Sequence, residues 1–160
     1  MKIVSLLIVF AVLLCGCQNV STFEVLEDVY YEQERAAPKE IVLSLSDSTT
    51  LIRNGNSRLY LCDGFDVTVE TMYAGNVEQT MQTLTGFAPD ALTMVQTSSH
   101  QMQRYECAWS SAGEGGVQVG RAVVLDDGSY HYCVTVTALS EQAGALYETW
   151  NTLLDSIVLR

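Results

Sequence analysis

The sequence predicts an α+β domain in which an antiparallel β-sheet carries helices on both faces, an αβα sandwich. Three observations lead to this prediction. Short runs of β-branched and aromatic residues follow one another along the chain, a helical segment interrupts them, and a longer helix closes the chain. At 160 residues the chain is long enough for one domain with its own hydrophobic core.

The first residues have the layout of a secretory signal peptide. Lys2 supplies a positive charge, residues 3–14 are apolar apart from one serine, and small or polar residues follow. A membrane-spanning helix needs about 20 apolar residues, so this run is too short to favour a permanent span. It ends in Leu14-Cys15-Gly16-Cys17. This ending resembles the bacterial lipobox, and the small residue before Cys17 makes that cysteine the better match of the two.

The lipobox resemblance implies that a signal peptidase cleaves between Gly16 and Cys17, and that the Cys17 sulfur carries a diacylglyceryl group. Two acyl chains anchor a protein stably, whereas one chain binds only marginally. The chain would then consist of a signal peptide at 1–16, a lipidated tether at 17–22 and a single domain at 23–160. Its partner would be the lipid bilayer, at the extracytoplasmic face of a bacterial cell membrane.

Two alternatives to lipidation use the same residues. An ordinary signal peptide would release a free secreted protein. Cys15 and Cys17 could instead bind a metal, but no second cysteine pair and no nearby histidine completes four ligands. We therefore expect neither a metal nor a cofactor.

The cleaved chain is strongly acidic. Eight lysines and arginines less Lys2 leave seven, against 19 aspartates and glutamates, which gives a net charge of −12. An acidic surface repels phosphate groups. The composition therefore disfavours nucleic acid as a partner and provides no basic patch for anionic lipid.

Strands are predicted at the start of the domain. Residues 23–31 alternate apolar and acidic side chains, and residues 41–45 form a second apolar run. Polar residues 46–57 are predicted as a turn-rich segment in which Asn54-Gly55 is the strongest turn signal.

A hairpin and the first helix follow. Asp63-Gly64 is a preferred dipeptide for a two-residue hairpin turn, and this turn would place Tyr60 opposite Val67. Residues 76–86 then have helical periodicity. The asparagine at the start of this segment suits an N-cap, and the glycine at its end suits a left-handed C-cap.

The C-terminal half contains a second hairpin. Strands are predicted at 91–97 and 102–110, and a hairpin over 117–137 turns at Asp127-Gly128, which would place Val123 opposite Tyr132. Both residue parities of this hairpin are largely apolar, which indicates a sheet covered on both sides.

The last element is a helix that begins at Ser140. Trp150 and Leu153 of this helix are predicted to pack over the sheet face that carries the small residues Gly120 and Ala122. The residues with the spacing of a buried helix face are Ala143, Leu146, Tyr147, Trp150, Leu153, Leu154 and Ile157.

The closing segments "YHYCVTVTALS" and "ETWNTLLDSIVL", a hairpin strand leading into a final amphipathic helix, resemble the PsbP-like (DcrB-like) domains. That family includes many bacterial lipoproteins, and "LYLCDGF" and "GRAVVLDDGSYHY" are similar to phrases in small lipoproteins of anaerobic bacteria. The resemblance implies an antiparallel sheet between helices and a binding or assembly role without a shared active site.

Three cysteines remain after cleavage: Cys62, Cys107 and Cys133. The last two are predicted two strands apart, beyond the reach of about 7 Å that a disulfide allows, whereas a Cys62–Cys107 bond stays open. Packing as small core hydrophobes is the simplest interpretation of all three. His131 shares a strand face with Cys133, but a strand-central cysteine has no evident base that would make it a nucleophile.

One pair of charged residues has two interpretations. If residues 111–116 form the loop between antiparallel strands, Glu106 lies directly opposite Arg121. Covered by the first helix, the two residues would form a buried ion pair that specifies strand register. The alternative is an anion hook beside Tyr132.

Tyr60, Tyr73 and Tyr130 are candidates for a contact surface, because tyrosine offers a large contact area at low entropic cost. Core packing explains them equally well. The leading hypothesis is a non-catalytic, membrane-tethered lipoprotein that binds or helps to assemble an extracytoplasmic protein or small ligand. The alternatives are a solute-binding lipoprotein and a small cell-envelope hydrolase, in which His131, Glu106 or Asp66 would converge only in the folded protein.

Overall fold

The computed structural model describes residues 36–99, 102–113 and 115–160. The signal peptide, Cys17, the tether and the strand predicted at 23–31 lie outside these ranges. In chain order the described strands are β1 (Ile41–Val42), β2 (Thr50–Asn54), β3 (Ser57–Leu61), β4 (Asp66–Tyr73), β5 (Val95–Ser99), β6 (Met102–Gly113), β7 (Gly116–Asp126), β8 (Tyr130–Leu139) and β9 (Val158–Leu159). Helices α1 (Val77–Thr85) and α2 (Ser140–Asp155) and a 3₁₀ turn at Pro89–Ala91 complete the described part.

Seven of the strands form one antiparallel sheet in the order β2-β3-β4-β8-β7-β6-β5, and β1 pairs separately with β9. Strand β8 lies at the centre of this sheet, and nearly all of its residues are buried. The predicted α+β class, with an antiparallel sheet and two helices, is confirmed.

The two helices pack on opposite faces of the sheet. α2 covers a large apolar cluster, to which it contributes Trp150, Leu153 and Leu154. α1 covers a smaller cluster, in which Met81 packs with Cys107, Ala122, Val124 and Cys133. Both faces of the central strands are therefore buried, as the apolar character of both parities predicts.

The caps predicted for the first helix are present. The Asn76 side chain accepts a hydrogen bond of 3.1 Å from the backbone N–H of Gln79. Gly86 ends the helix with φ 76°, a left-handed conformation that glycine adopts without steric cost. These local contacts satisfy backbone groups that a helix leaves unpaired at its ends.

The predicted boundaries near the N-terminal side of the domain are partly wrong. The strand expected at 41–45 is only the two residues of β1. The segment expected as turns contains β2, which pairs with β3 about Gly55, a residue with φ 58°. All five residues of β2 are exposed, so this edge strand lacks the apolar alternation by which a half-buried strand is recognised.

The register predicted for the β7–β8 hairpin is wrong by two residues. Val123 lies opposite Val134 instead of Tyr132. Asp127 opens the turn because its side chain accepts hydrogen bonds from the backbone N–H groups of Ser129 and Tyr130. A shift of two residues keeps every side chain on its face, so the assignment of faces survives the error.

The register predicted for β6 and β7 is also wrong by two residues. Arg121 lies opposite Ala108, and Glu106 lies opposite Val123. The two strands continue to Gly113 and Gly116, where we expected a six-residue loop. The side chains in this stretch are small, and backbone groups can pair between strands whether or not side chains pack there. The side-chain pattern therefore did not reveal the pairing.

The expected packing of α2 is wrong in two respects. Trp150 and Leu153 lie over the face that carries the large residues, because α1 and Trp109 cover the small-residue face. A methyl group at Gly120 would lie 2.7 Å from Cε2 of Trp109 and closer still to Cζ2. Tyr147, predicted to be buried, is 59% exposed.

Replacing Gly120 by alanine is expected to destabilise the protein by about 1–3 kcal/mol, because the new methyl group has no room beside the Trp109 ring. Urea denaturation measures the change. Gly144→Ala is the control: no atom lies within 4 Å of the added methyl, and alanine stabilises a helix relative to glycine. Equal effects of the two substitutions would contradict the packing described here.

Combining Gly120→Ala with Trp109→Ala tests the contact directly. Removing the ring should relieve the clash, so the double variant should be less destabilised than the sum of the two single changes. Additive effects would place the cause elsewhere.

Candidate functional site

The structure brings Arg121 and Glu106 together in spite of the register error, since they lie diagonally on one face of the sheet. The Arg121 guanidinium is 3.4 Å from the Glu106 carboxylate and donates a second hydrogen bond to the Asn151 side chain on α2. Both charged side chains are less than one-third exposed. The covering helix is α2, so the expectation that the first helix covers this pair is wrong.

Arg104 is the second cation of this cluster. It donates a hydrogen bond of 2.7 Å to Glu106 and another of 3.2 Å to the backbone carbonyl of Leu154. Its third contact is an ion pair of 3.6 Å with Asp155. Arg104 therefore binds carbonyl and carboxylate groups in the last turn of α2, where a cation is stabilised by the helix dipole.

This polar cluster contains two cations and two carboxylates, and its contacts join them to one another. An anion hook needs a cation whose charge is not already neutralised. The arrangement favours the structural interpretation, in which the cluster fastens α2 to β6 and β7.

His131 lies on the opposite face of the sheet and is 0% exposed. Its Nδ1 shares a hydrogen bond of 2.8 Å with the Thr80 hydroxyl of α1, and its Nε2 lies 3.7 Å from the Asp126 carboxylate. Within the described residues, Nε2 has no hydrogen-bond partner. The hydrogen bond to Thr80 connects α1 to β8 through His131.

The residues named for the hydrolase alternative do not come together. His131 and Glu106 lie on opposite faces of the sheet, beneath different helices. His131 is opposite Met72, six residues along β4 from Asp66. The spacing of residues in a strand therefore separates Asp66 from His131 by about 20 Å.

The three cysteines are free thiols. Cys62 packs against the cluster under α2, and Cys107 belongs to the cluster under α1. The sheet lies between them, so the Cys62–Cys107 disulfide that the sequence allowed is excluded. Burial raises the pKa of all three thiols, and it raises the pKa of Cys133 to about 12, with a smaller contribution from Glu70. Thiols with raised pKa values are protonated at neutral pH and are poor nucleophiles.

The three tyrosines do not form one exposed rim. Tyr73 is 67% exposed and stacks on Tyr130 with ring centroids 5.5 Å apart, but Tyr130 itself is buried. Tyr60 is half-buried and packs against the cluster under α2. It pairs with Val67, six residues along β4 from Tyr73. Of the three tyrosines, Tyr73 is the one that is largely exposed.

A hydrogen-bond cluster around Asp127 holds the start of the described chain on the sheet. The Tyr132 hydroxyl donates to Asp127 and accepts from the backbone N–H of Lys39, and the Tyr130 hydroxyl donates to the carbonyl of Ala36. Burial alone raises the pKa of Asp127, but the hydrogen bonds that its carboxylate accepts from the backbone N–H groups of Tyr130 and Ser129 and from the Tyr132 hydroxyl, together with the Lys39 charge, outweigh it, so the pKa is lowered overall.

A recess of about 520 Å³ lies beside α2. Three parts of the chain form its walls: the segment 44–49, the turn between β3 and β4, and the outer side of α2. Its volume is in the range of small-molecule sites. The residues that line it are Ser44, Leu45, Ser46, Thr49, Cys62, Asp63, Phe65, Leu146, Glu148, Thr149, Thr152 and Leu153.

Sequence patterns did not indicate this recess. The α2 residues that line it lie more than 80 residues after the other two walls in the chain, and none of the three segments carries a motif for ligand binding. Leu146 was predicted only as a core residue, and Asp63 only as a turn residue. The sequence also did not indicate Asn151 and Asp155 as partners of the two arginines, because they lie far from them in the chain.

Across the described ranges, no group of three His, Cys, Asp or Glu side chains is placed to hold a metal ion. Neither helix in those ranges combines the length and the apolar character that a bilayer span requires.

Comparison with known proteins identifies the fold. No family model and no curated protein matches the sequence. Among solved structures, cyanobacterial PsbP (CyanoP) from Synechocystis sp. PCC 6803 aligns over 75% of this chain and 82% of its own, with a TM-score of 0.51 and 9% identity. The chain therefore has a PsbP-like fold.

Two further solved structures align with the chain at similar levels. A protein from Bacteroides thetaiotaomicron VPI-5482 aligns over 75% of this chain with a TM-score of 0.51 and 10% identity, and this chain covers only 45% of that protein. LpqN of Mycobacterium tuberculosis, which is involved in cell envelope biogenesis, aligns over 78% of this chain and 87% of its own with a TM-score of 0.47 and 11% identity. A TM-score below 0.5 does not strengthen the fold assignment.

Arg104→Met is expected to destabilise the protein by about 1–3 kcal/mol, because it removes charge-assisted hydrogen bonds to Glu106 and to the end of α2. Arg121→Met should have a smaller effect, since Glu106 keeps Arg104 as a partner. Arg53→Met, on the exposed strand β2, is the control and should change the free energy of unfolding by less than about 0.5 kcal/mol. An unchanged free energy of unfolding in all three variants would contradict the structural interpretation and favour the anion hook.

Asp127→Asn is expected to lower the free energy of unfolding at pH 7 by about 1–2 kcal/mol, and this difference should disappear in acid. A lowered folded-state pKa stabilises the fold above the unfolded-state pKa of about 3.9 and loses that effect as pH falls through the folded-state value. Urea denaturation at pH 7 and at about pH 2.5 measures it. Tyr132→Phe removes one donor to Asp127 and should reduce the pH-dependent part.

Equal losses from Asp127→Asn at both pH values would mean that the ionised carboxylate is not what the turn requires.

Proposed function

We propose that the protein is a lipid-anchored lipoprotein of the extracytoplasmic membrane face, and that its PsbP-like domain binds a ligand or partner without catalysing a reaction. The observation that carries the binding role is the recess beside α2, which combines apolar side chains with hydroxyl and carboxylate groups. Ligand sites commonly have this composition. The lipobox-like sequence Leu14-Cys15-Gly16-Cys17 supports the anchored location.

The chemistry of the recess favours binding over catalysis. Its thiol, Cys62, has a raised pKa because it is partly buried and lies near Asp66, although a hydrogen bond from Thr49 opposes the shift. A nucleophilic cysteine needs the opposite shift and an adjacent base. His131, the one described histidine, lies on the other face of the sheet.

The predicted anchor precedes the described residues in the chain. The first described residue, Ala36, is bound through its carbonyl to Tyr130, and Cys17 lies 19 residues earlier in the sequence. The tether predicted at residues 17–22 would follow directly from an acylated Cys17.

Lipidation is tested with the whole chain expressed in a bacterium that is fed an alkyne-labelled fatty acid. The label should be incorporated into the unaltered protein and into Cys15→Ala, but not into Cys17→Ala, because only the Cys17 sulfur accepts the diacylglyceryl group. Mass spectrometry of the labelled protein should show that residues 1–16 are absent. Labelling of Cys17→Ala, or an unlabelled wild type cleaved elsewhere, would refute the anchored location.

A further inference from the structure

The recess beside α2 has an apolar interior of four side chains. They are Leu45, Phe65, Leu146 and Leu153. Leu153 belongs to the main hydrophobic cluster and the other three pack against it, with the Phe65 ring 6.4 Å from the Trp150 ring of the cluster. The interior is therefore an extension of the core that reaches the surface, and it can take up an apolar group without rearrangement of the sheet.

Hydrogen bonds hold the outer wall of the recess in place. The backbone N–H of Ser44 donates to the Ser156 hydroxyl beyond the end of α2, and the Thr49 hydroxyl shares a contact of 3.9 Å with the Cys62 sulfur. The hydroxyls of Ser46 and Ser48 are hydrogen-bonded to each other at 2.9 Å. Such contacts restrict the 44–49 segment, and a wall that is ordered beforehand loses less entropy when a ligand binds.

The charges of the recess have one sign. Asp63 and Glu148 are both exposed and contribute two carboxylates, while no lysine or arginine occurs among the lining residues. The whole chain carries a net charge of −11. A bound anion would meet repulsion from both sources, whereas a cation would be attracted.

We infer that this recess binds a small organic cation with an apolar body, such as an alkyl- or arylammonium group. The apolar body would lie against Phe65 and the leucines, and the ammonium group would lie at the mouth near Glu148 and Asp63. Thr149 and Thr152 of α2 also line the recess, and a threonine hydroxyl can accept a hydrogen bond. This inference rests on the binding role proposed above and specifies the chemical class of its ligand.

Three probes of equal length separate the apolar and the charged contributions: hexylammonium, 1-hexanol and hexanoate. The mature chain, residues 17–160, is used with Cys17→Ser so that no acyl chain binds the probes, and amide chemical shifts are followed by NMR at low salt. Hexylammonium should bind about threefold more tightly than hexanol, and hexanoate should bind more weakly than either, because an exposed ion pair contributes up to about 1 kcal/mol. The shifts should concentrate in the 44–49 segment, the β3–β4 turn and α2.

Two variants locate the interaction. Glu148→Gln should remove much of the preference for hexylammonium over hexanol, while hexanol binding stays unchanged. Asp90→Asn is the matched control: it changes the net charge equally, but it lies in the 3₁₀ turn on the α1 side of the domain, and it should leave the preference intact. Thr149→Trp should fill the recess and abolish binding of all three probes, with circular dichroism confirming the fold.

Equal binding of hexanoate and hexylammonium, shifts confined to other surfaces, or an equal effect of Asp90→Asn and Glu148→Gln would overturn the inference. The absence of binding by all three probes at about 10 mM would also overturn it, since this exceeds the millimolar Kd of a weak site. Fatty-acid labelling at Cys17 is an independent result: it can succeed when the amine experiment fails, and then only the ligand class is wrong. Amine binding without lipidation would leave the recess valid and refute the membrane location.

Discussion

Burial of β8 on both faces is the constraint on which the rest of this domain depends. One face of β8 presents tyrosine and valine side chains to α2, and the other presents His131, Cys133 and Thr135 to α1. Side-chain size decides which helix covers which face. The Trp109 ring fills the space above Gly120, so large helix side chains have no room on that face. Close packing of both layers fixes which helix covers which face.

The polar groups that this arrangement buries serve the attachment of the helices. Arg104 and Arg121 connect β6 and β7 to α2 through Glu106, Asn151 and the Leu154 carbonyl. Thr80 and His131 connect α1 to β8. Buried polar groups are costly unless they are hydrogen-bonded, so each tie specifies the position of its helix. Arg121 and His131, which first suggest anion binding and catalysis, thus each contact a helix from the sheet.

The recess beside α2 arises at the margin of this packing. α2 is buried at Trp150, Leu153 and Leu154, while Tyr147 and Glu148 face outward. The segment 44–49 approaches the helix without forming a strand and leaves space between the two. A PsbP-like sheet with 9% identity to cyanobacterial PsbP can thereby carry a ligand site of its own, since binding surfaces depend on loops and helix exteriors more than on the shared core.

Local chemistry in the sequence alone determined several features of this protein. It set the caps of α1 at Asn76 and Gly86, the β3–β4 hairpin with Tyr60 opposite Val67, and the start of α2 at Ser140. The apolar residues at both parities of the β7–β8 hairpin likewise indicated a sheet that is buried on both faces. Each of these depends on residues that are near neighbours in the chain. The registers of β6, β7 and β8 were predicted two residues away from their true values, because backbone and side-chain hydrogen bonds at the turns decide among registers that place the same residues on the same face. Only the tertiary structure decided which helix covers which face and where the recess lies, because both depend on the volumes and charges of side chains that are far apart in the sequence.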